Sequence, residues 1–257
     1  MTTFSIKATL TDKQAKEFFI PLNDVLRNCG AKVVIRFLKE KKIVIKAITE
    51  QRDLIQYVNY TDKVCSLFEI ESDYRTGIYD MSEFVNLFKI FEGGLEFRYI
   101  SAEKKIELVN SNNGEDQSLQ YYICDETVVP KPPESIDFSK ITWATTFAWT
   151  PSKYETLFNA MKSLKYPNII INGKKDEKHL TVSITESDIK TTTFKSKINL
   201  EAPIVNSFNV IVDKANFINI LSGNVKDFTI NICEKILYFK GKSDICEVEY
   251  MLSPLKK

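Results

Sequence analysis

The sequence predicts an α+β fold of two similar domains, each with two helices packed on antiparallel sheets. Two observations predict it. Segments with helical and strand patterning recur in the same order in both halves of the chain, and a proline-rich stretch separates the halves.

The recurrence is clearest in Tyr79-Asp80-Met81-Ser82-Glu83-Phe84-Val85-Asn86-Leu87-Phe88 and Val212-Asp213-Lys214-Ala215-Asn216-Phe217-Ile218-Asn219-Ile220-Leu221. They align at an offset of 133, Asp80 to Asp213. The offset persists into the next element, where Leu95, Phe97 and Tyr99 meet Phe228, Ile230 and Ile232. A turn, a second strand (Lys105-Ile106-Glu107-Leu108 against Lys235-Ile236-Leu237-Tyr238) and a third strand (Leu119–Cys124 against Cys246–Leu252) follow in both. Upstream, Thr11–Asn28 and Thr150–Lys165 share apolar positions at an offset of 139, Phe18 with Leu157 and Leu22 with Met161 among them. Each precedes two short strands, Lys32–Leu38 and Ile43–Ile48 in the first half, Asn168–Asn172 and His179–Thr185 in the second. One such match could arise by chance; two in the same order, each with its strands, point to a duplication.

Local signals support the elements. Asp80 and Asp213 stand at helix N-caps ahead of an apolar i, i+3, i+4 pattern. Gly93-Gly94 and Gly223 stand where those helices should stop. Thr150-Pro151 reads as a cap followed by proline at the first helical position. Pro21 should kink the first helix or break it near Glu17. Leu95-Glu96-Phe97-Arg98-Tyr99 alternates as a strand with one apolar face. Between the halves, Pro130, Pro132 and Pro133 exclude a helix or a central strand. The expected organisation is therefore an N-terminal domain over 1–125, an extended connector over 126–136 and a C-terminal domain over 137–257.

Composition narrows the class. Apolar residues make up 44% and charged residues 27% of the 257, which is globular. No apolar run can span a bilayer, and Met1-Thr2-Thr3-Phe4-Ser5 lacks the order of a secretion signal. A soluble cytoplasmic protein without a membrane partner is expected. Cys29, Cys65, Cys124, Cys233 and Cys246 are scattered without a CxxC pair, so no disulfide framework or thiolate metal site is expected. The net charge of +1 requires that any basic surface be balanced by an acidic one.

No catalytic constellation stands out, and neither an enzyme nor a cofactor is expected. The one histidine, His179, follows the polar turn Lys174–Lys178. No phosphate-cradling glycine motif occurs. Glu-Ser-Asp appears at Glu71–Asp73 and Glu186–Asp188, but both lie in turn-like stretches, poor frames for a magnesium site.

Helical wheels separate the faces. In the first helix Ala15, Phe18, Phe19, Leu22, Val25 and Leu26 gather on one side; Lys13, Lys16 and Arg27 lie opposite, joined by Ile20 and flanked by Glu17 and Asp24. In the second, Phe84, Leu87, Phe88 and Phe91 oppose Ser82, Asn86 and Lys89. In the third, Tyr154, Leu157, Phe158, Met161 and Leu164 turn inward, leaving small neutral residues outside with Lys162 at the margin. These outward faces suit either plain solvation or weak, uniform contact with phosphates.

Three segments then carry a family likeness. Gly77-Ile78-Tyr79-Asp80-Met81-Ser82-Glu83-Phe84 resembles the strand-to-helix junction of the T-even phage sliding clamp. Thr127-Val128-Val129-Pro130-Lys131-Pro132-Pro133 is similar to its proline-rich interdomain loop. Tyr250-Met251-Leu252-Ser253-Pro254 resembles the Tyr-Leu-Ala-Pro ending of proliferating cell nuclear antigen (PCNA). The pattern covers nearly the whole chain.

The resemblance implies a DNA polymerase processivity factor. It would be a homotrimeric ring of six similar domains, with helices lining a hole for double-stranded DNA, opened by an ATP-dependent clamp loader and hydrolysing nothing itself. It places Lys13, Lys16, Arg27, Lys89 and Lys162 toward DNA, with Lys153, Lys165 and Lys214 beside them. It puts the subunit interface on Lys105–Asn110 (Lys105, Ile106, Leu108) and His179–Thr185 (Leu180, Val182, Ile184). A partner-peptide groove would be bordered by Val128, Val129, Pro130, Met251, Leu252 and Pro254, floored by Ile48 and Leu54, and rimmed by Lys131, Glu134 and Lys256. The same residues could instead seal the interdomain core. Two departures stand out: the chain is longer than the T-even clamp, and its lining is less basic. The alternatives are a monomeric or dimeric processivity factor of the same fold, an enzyme with a diffuse site that no motif marks, or a structural β-rich protein with no DNA role.

Overall fold

Side-chain caps fix where the helices begin. In the computed structural model, which describes residues 5–65, 67–91, 93–110, 117–184 and 193–255, helix α1 (Asp12–Cys29) starts at Thr11. The Thr11 hydroxyl accepts from the Gln14 N–H, and the Gln14 side chain accepts from the Thr11 N–H, a capping box. Helix α2 (Met81–Phe88) starts at Asp80, whose carboxylate accepts from Glu83 N–H at 2.9 Å. Helix α4 (Lys214–Leu221) repeats the device: Asp213 accepts from Asn216 N–H at 2.7 Å.

Of the two outcomes expected at Pro21, a kink or a break, the break does not occur: helix α1 runs through it. Pro21 is buried, and Asn23 Nδ2 donates to Phe19 O at 2.9 Å across the turn weakened by the missing proline N–H. Thr150-Pro151 does not start the third helix. Residues 150–154 form a turn closed by Lys153 N–H to Thr150 O at 3.2 Å and Tyr154 N–H to Pro151 O at 3.3 Å. Helix α3 (Glu155–Ser163) follows, with Tyr154 as an N-cap that has no side-chain bond.

The chain forms two units. The first comprises Met1–Glu50, Ile55–Pro132 and Ser243–Glu247. Its five-stranded sheet runs in the order β5-β1-β7-β8-β9, with β1 (Ile6–Leu10), β5 (Leu67–Ile70), β7 (Leu95–Ile100), β8 (Lys105–Asn110) and β9 (Gln117–Tyr122). A second layer runs β4-β3-β2-β6, with β2 (Val33–Leu38), β3 (Lys42–Ile48), β4 (Leu54–Tyr60) and β6 (Tyr74–Ile78). Neighbouring strands are antiparallel, and Lys7, Arg98, Glu107 and Gln120 stand side by side across β1, β7, β8 and β9.

The second unit comprises Gln51–Leu54, Pro133–Lys242 and Val248–Lys257. One sheet runs β13-β12-β11-β14, with β11 (Asn168–Gly173), β12 (His179–Ile184), β13 (Phe194–Asn199) and β14 (Phe208–Asp213). The other layer runs β10-β15-β16-β17, with β10 (Thr145–Trp149), β15 (Phe228–Cys233), β16 (Ile236–Lys242) and β17 (Cys246–Leu252). Strand for strand, β1-β7-β8-β9 corresponds to β10-β15-β16-β17, and β4-β3-β2-β6 to β13-β12-β11-β14. Strand β5 is the addition in the first unit. The two units thus repeat one topology, and α2 and α4 hold the offset of 133 at both ends.

Each helix pair covers an aromatic core. In the first unit the Phe18 ring lies 4.9 Å from Tyr60 and 5.4 Å from Phe19, and Phe84 lies 4.9 Å from Phe88. In the second, Trp149 stacks on Tyr154 at 4.7 Å and Phe217 meets Phe239 at 5.5 Å. All nine side chains are buried. Burying each such ring contributes roughly 2–3 kcal/mol, so the repeated stripes fasten the helices to their sheets.

Candidate nucleic-acid and partner interfaces

The cations of helix α1 stand beside carboxylates. Lys13 lies 3.6 Å from Glu17, Lys16 2.7 Å from Asp12, and Arg27 2.9 Å from Asp24. These are helix-surface pairs of small individual worth. The Lys16 ammonium, donating to Asp12, holds that carboxyl below its usual range. Lys89 donates to Asn86 Oδ1 at 3.1 Å. Lys16 and Lys89 share the rim of a depression of about 750 Å³ whose wall is Phe19, Phe88 and Phe91.

The second unit's helix cations keep other company. Lys162 sits 4.3 Å from the centre of the Phe158 ring, and Lys153 5.3 Å from that of Tyr154. Lys165 is exposed one residue past the α3 C-cap. Lys214 Nζ donates to the Leu164 carbonyl at the same helix end. Phe158 and Leu164 are half-buried rather than fully inward. The wheel places them on the apolar stripe, but α3 is only nine residues long and Leu164 falls beyond its last turn.

The expected pairing strands are corrected. Strands β8 and β12 are interior: β9 lies outside β8, and β13 lies outside β12. Lys105, Ile106, Leu108, Leu180, Val182 and Ile184 are accordingly buried. Lys105 is further tied to Glu103 at 2.7 Å, which raises its pKa. The edge strands on that side are β9 and β13. Both carry the marks of a managed edge, with Gln117, Ser118 and Gln120 exposed on β9 and Lys195 and Lys197 exposed on β13. Those polar alternations were the available signal. Register is non-local, so a strand's periodicity does not say which neighbour lies outermost.

The connector leaves the first unit along β6. Gly77 and Cys124 exchange two backbone bonds of 3.0 Å. A Cβ at Gly77 would stand 2.7 Å from Cys124 Sγ and 3.1 Å from Asp125 O, so only glycine admits this approach. Asp125 then accepts from Thr127 N–H at 2.9 Å, opening a 3-10 turn at Glu126–Val128, and these bonds lower the Asp125 pKa. The Glu126 carboxylate meets the Arg75 guanidinium of β6, and Lys131 lies 3.6 Å from the same carboxylate.

Of the groove residues in the first unit, Val129 and Ile48 are buried, Pro130 is half-buried and Val128 is 55% exposed. Ile48 and Pro130 line one cavity of about 120 Å³ with Lys32 and Glu50. In the second unit Leu54, Met251 and Leu252 are buried and Pro254 half-buried. Ser253 N–H donates to Asp53 O at 2.8 Å, and Leu255, 37% exposed, donates its N–H to Ile211 O at 2.7 Å. Lys131 and Glu134 are exposed; Lys256 lies outside the described residues.

Among the described residues no three His, Cys, Asp or Glu side chains converge as metal ligands. Asp73 of Glu71–Asp73 accepts from Lys39 N–H at 2.7 Å and so serves a turn. Glu186–Asp188 lies outside the described residues. His179 opens β12 with Nε2 3.4 Å from Glu177. No helix is long and apolar enough to cross a membrane.

No family model matches the sequence, and no curated protein matches it. Solved structures do match in fold. PCNA of Entamoeba histolytica superimposes with a TM-score of 0.74 at 10% identity, over 99% of this chain and 100% of that one. PCNA of Thermococcus kodakaraensis gives 0.74 at 16% identity, over 97% and 100%. PCNA of A. fulgidus, bound to the C-terminal region of FEN-1, gives 0.73 at 11% identity, over 98% and 99%. The chain has the fold of the sliding clamps, in which two like units repeat.

Proposed function

We propose that the protein is a sliding clamp: a non-enzymatic ring that encircles double-stranded DNA and tethers a DNA polymerase and other replication proteins. The reading rests on one observation above the others. The chain repeats a unit that pairs two helices with two antiparallel layers, and each unit ends one sheet in a polar edge strand, β9 or β13. An edge of one copy can take up the edge of the next, and head-to-tail pairing closes into a ring. Three copies would give six such units. Sequence-independent contact with phosphates needs only basic helix faces, and both units carry lysines there. An ATP-dependent loader would open the ring.

The test has two parts. Sedimentation should give a trimer mass, and electron micrographs a ring. The purified protein should lengthen the products of its polymerase on primed DNA. A ring that stimulates no polymerase would leave the structural-protein reading; stimulation by a monomer or dimer would leave the open processivity factor.

A further inference from the structure

We infer that duplex DNA is held chiefly by a lysine cluster at the C-terminal end of α3, formed by Lys162, Lys165 and Lys214, rather than by the more numerous cations of α1. This inference rests on the clamp reading and assigns its phosphate contacts to one unit. Along α1, the cations Lys13, Lys16 and Arg27 are matched by Asp12, Glu17 and Asp24, each within ion-pair distance of its partner. The helix therefore has no net charge. A phosphate approaching any of the three cations also approaches its carboxylate, and the repulsion offsets the attraction. The α3 end is different. Lys162 packs on the Phe158 ring, and Lys165 is exposed just past the helix. Lys214 reaches in from the first turn of α4 to the Leu164 carbonyl.

None of these three lysines has a carboxylate within ion-pair distance among the described residues. A lysine ammonium carries three donors, so Lys214 keeps two after meeting Leu164. The Phe158 face and the helix C-terminus hold the cations in place while carrying only partial negative charge. Asp213 precedes Lys214, but its carboxylate turns to the Asn216 N–H at 2.7 Å and lies beyond ion-pair distance of the Lys214 ammonium. Glu155 is the one acid on α3 and lies in its first turn, at the other end. Three cations without an acidic partner thus gather at this end of α3, whereas α2 ends on one, Lys89.

The experiment compares Lys162→Ala/Lys165→Ala with an α1 set in which both members of each ion pair are neutralised, Asp12→Asn/Lys13→Gln/Lys16→Gln/Glu17→Gln, in the full chain. Binding of a short fluorescein-labelled duplex is followed by anisotropy across a salt series. Each lost phosphate contact should flatten the log–log salt dependence by about 0.9, so the α3 pair should weaken binding about tenfold or more at low salt. The α1 set, which removes two ion pairs and leaves the helix charge unchanged, should change affinity by less than about threefold. Equal or larger loss from the α1 set would overturn the assignment while leaving the clamp reading intact. If neither the pair nor the set alters affinity or salt dependence, both the assignment and the placement of helices against DNA fail. Thermal melts check that each variant is folded; Lys162→Gln/Lys165→Gln, which keeps the side-chain stems, replaces the alanine pair if that pair melts early.

Discussion

The Glu126 carboxylate bonds the Arg75 guanidinium, joining the first turn of the connector to strand β6. Lys131, five residues further on, lies 3.6 Å from the same carboxylate. The connector is thereby held at both ends of its apolar stretch, with Val128 outward and Val129 inward between them. Glu126→Ala should release it. Because the pair is partly exposed, the cost in global stability should be only about 1 kcal/mol. The sensitive readout is local: the Val128 N–H, bonded to the Asp125 carbonyl in the same turn, should exchange with solvent faster in the variant than in the parent. Equal exchange rates would show that the backbone pairing at Gly77 suffices.

That backbone pairing supplies a second prediction. A methyl at residue 77 meets Cys124 Sγ and the Asp125 carbonyl, the latter being backbone that cannot rotate away. Gly77→Ala should therefore lower stability by roughly 1–3 kcal/mol, the usual range for overpacking. Cys124→Ala in the same chain should restore part of it, because the nearer clash is with sulfur. Urea titration of the two single variants and the double variant measures the coupling; an additive result would place the strain elsewhere.

Stability should also fall on the alkaline side. Burial pushes the Cys65 thiol from an ordinary 9.0 up to about 12. Burial likewise raises Tyr121 from 10.0 to about 12. In both, the folded state holds its proton more tightly than the unfolded chain. Between about pH 9 and pH 12 the unfolded state therefore binds fewer protons, and stability declines as pH rises. Below pH 9 the two groups contribute no slope. Cys65→Ala should shrink the part of the decline that begins near pH 9, to which burial of the Cys124 and Cys246 thiols contributes in the same direction, and leave the tyrosine part that begins near pH 10. Urea midpoints across that range check it; an unchanged curve would mean that Cys65 is solvated.

The repeat was legible because it is written locally. Asp80 and Asp213 cap their helices, and an offset of 133 carries α2 onto α4 and β7 onto β15. What sequence periodicity could not supply was pairing. The third strand of each unit was visible, yet its place outside β8 depends on a register between residues far apart. Strand β13 lacks a strong apolar alternation, and its only signal is Lys195-Ser196-Lys197, the pattern of a protected edge. The neutralisation of Lys13 and Lys16 is partly readable from i, i+4 spacing. The Lys214 contact with Leu164 spans 50 residues and is not.

If copies of the chain pair through their edge strands as proposed, β13 offers the test. Adjacent residues of a strand point their N–H groups to opposite sides, so Ser196→Pro and Lys197→Pro in β13 affect different neighbours. One removes an outward-facing donor and should yield a folded monomer by sedimentation. The other removes a bond to β12 and should cost about 3 kcal/mol in stability. A parent-like oligomer from both variants in folded form would exclude β13 from the subunit junction.

Partner docking can be separated from core sealing at two consecutive residues. Val128 is 55% exposed and Val129 4% exposed, although both stand in the same apolar stretch. Val129 packs against the position of Gly77, where its Cγ1 would lie 3.3 Å from an added Cβ. Val129→Asp would bury an unpaired carboxylate, at a cost of roughly 3–5 kcal/mol, and should unfold or loosen the first unit whatever the connector binds. Val128→Asp places the same charge in solvent and should leave the melting temperature within about a degree or two. If the connector receives apolar side chains from polymerase or loader tails, Val128→Asp should weaken their binding about tenfold while the protein keeps its parent oligomeric state, since a solvent-facing apolar anchor at a peptide site contributes about 1–2 kcal/mol. Leu255→Asp, at the second exposed apolar position, tests the chain end by the same logic. Native partner affinity in both folded variants would move the docking site away from the connector and the chain end; loss in Val128→Asp alone would centre it on the turn held by Glu126 and Arg75.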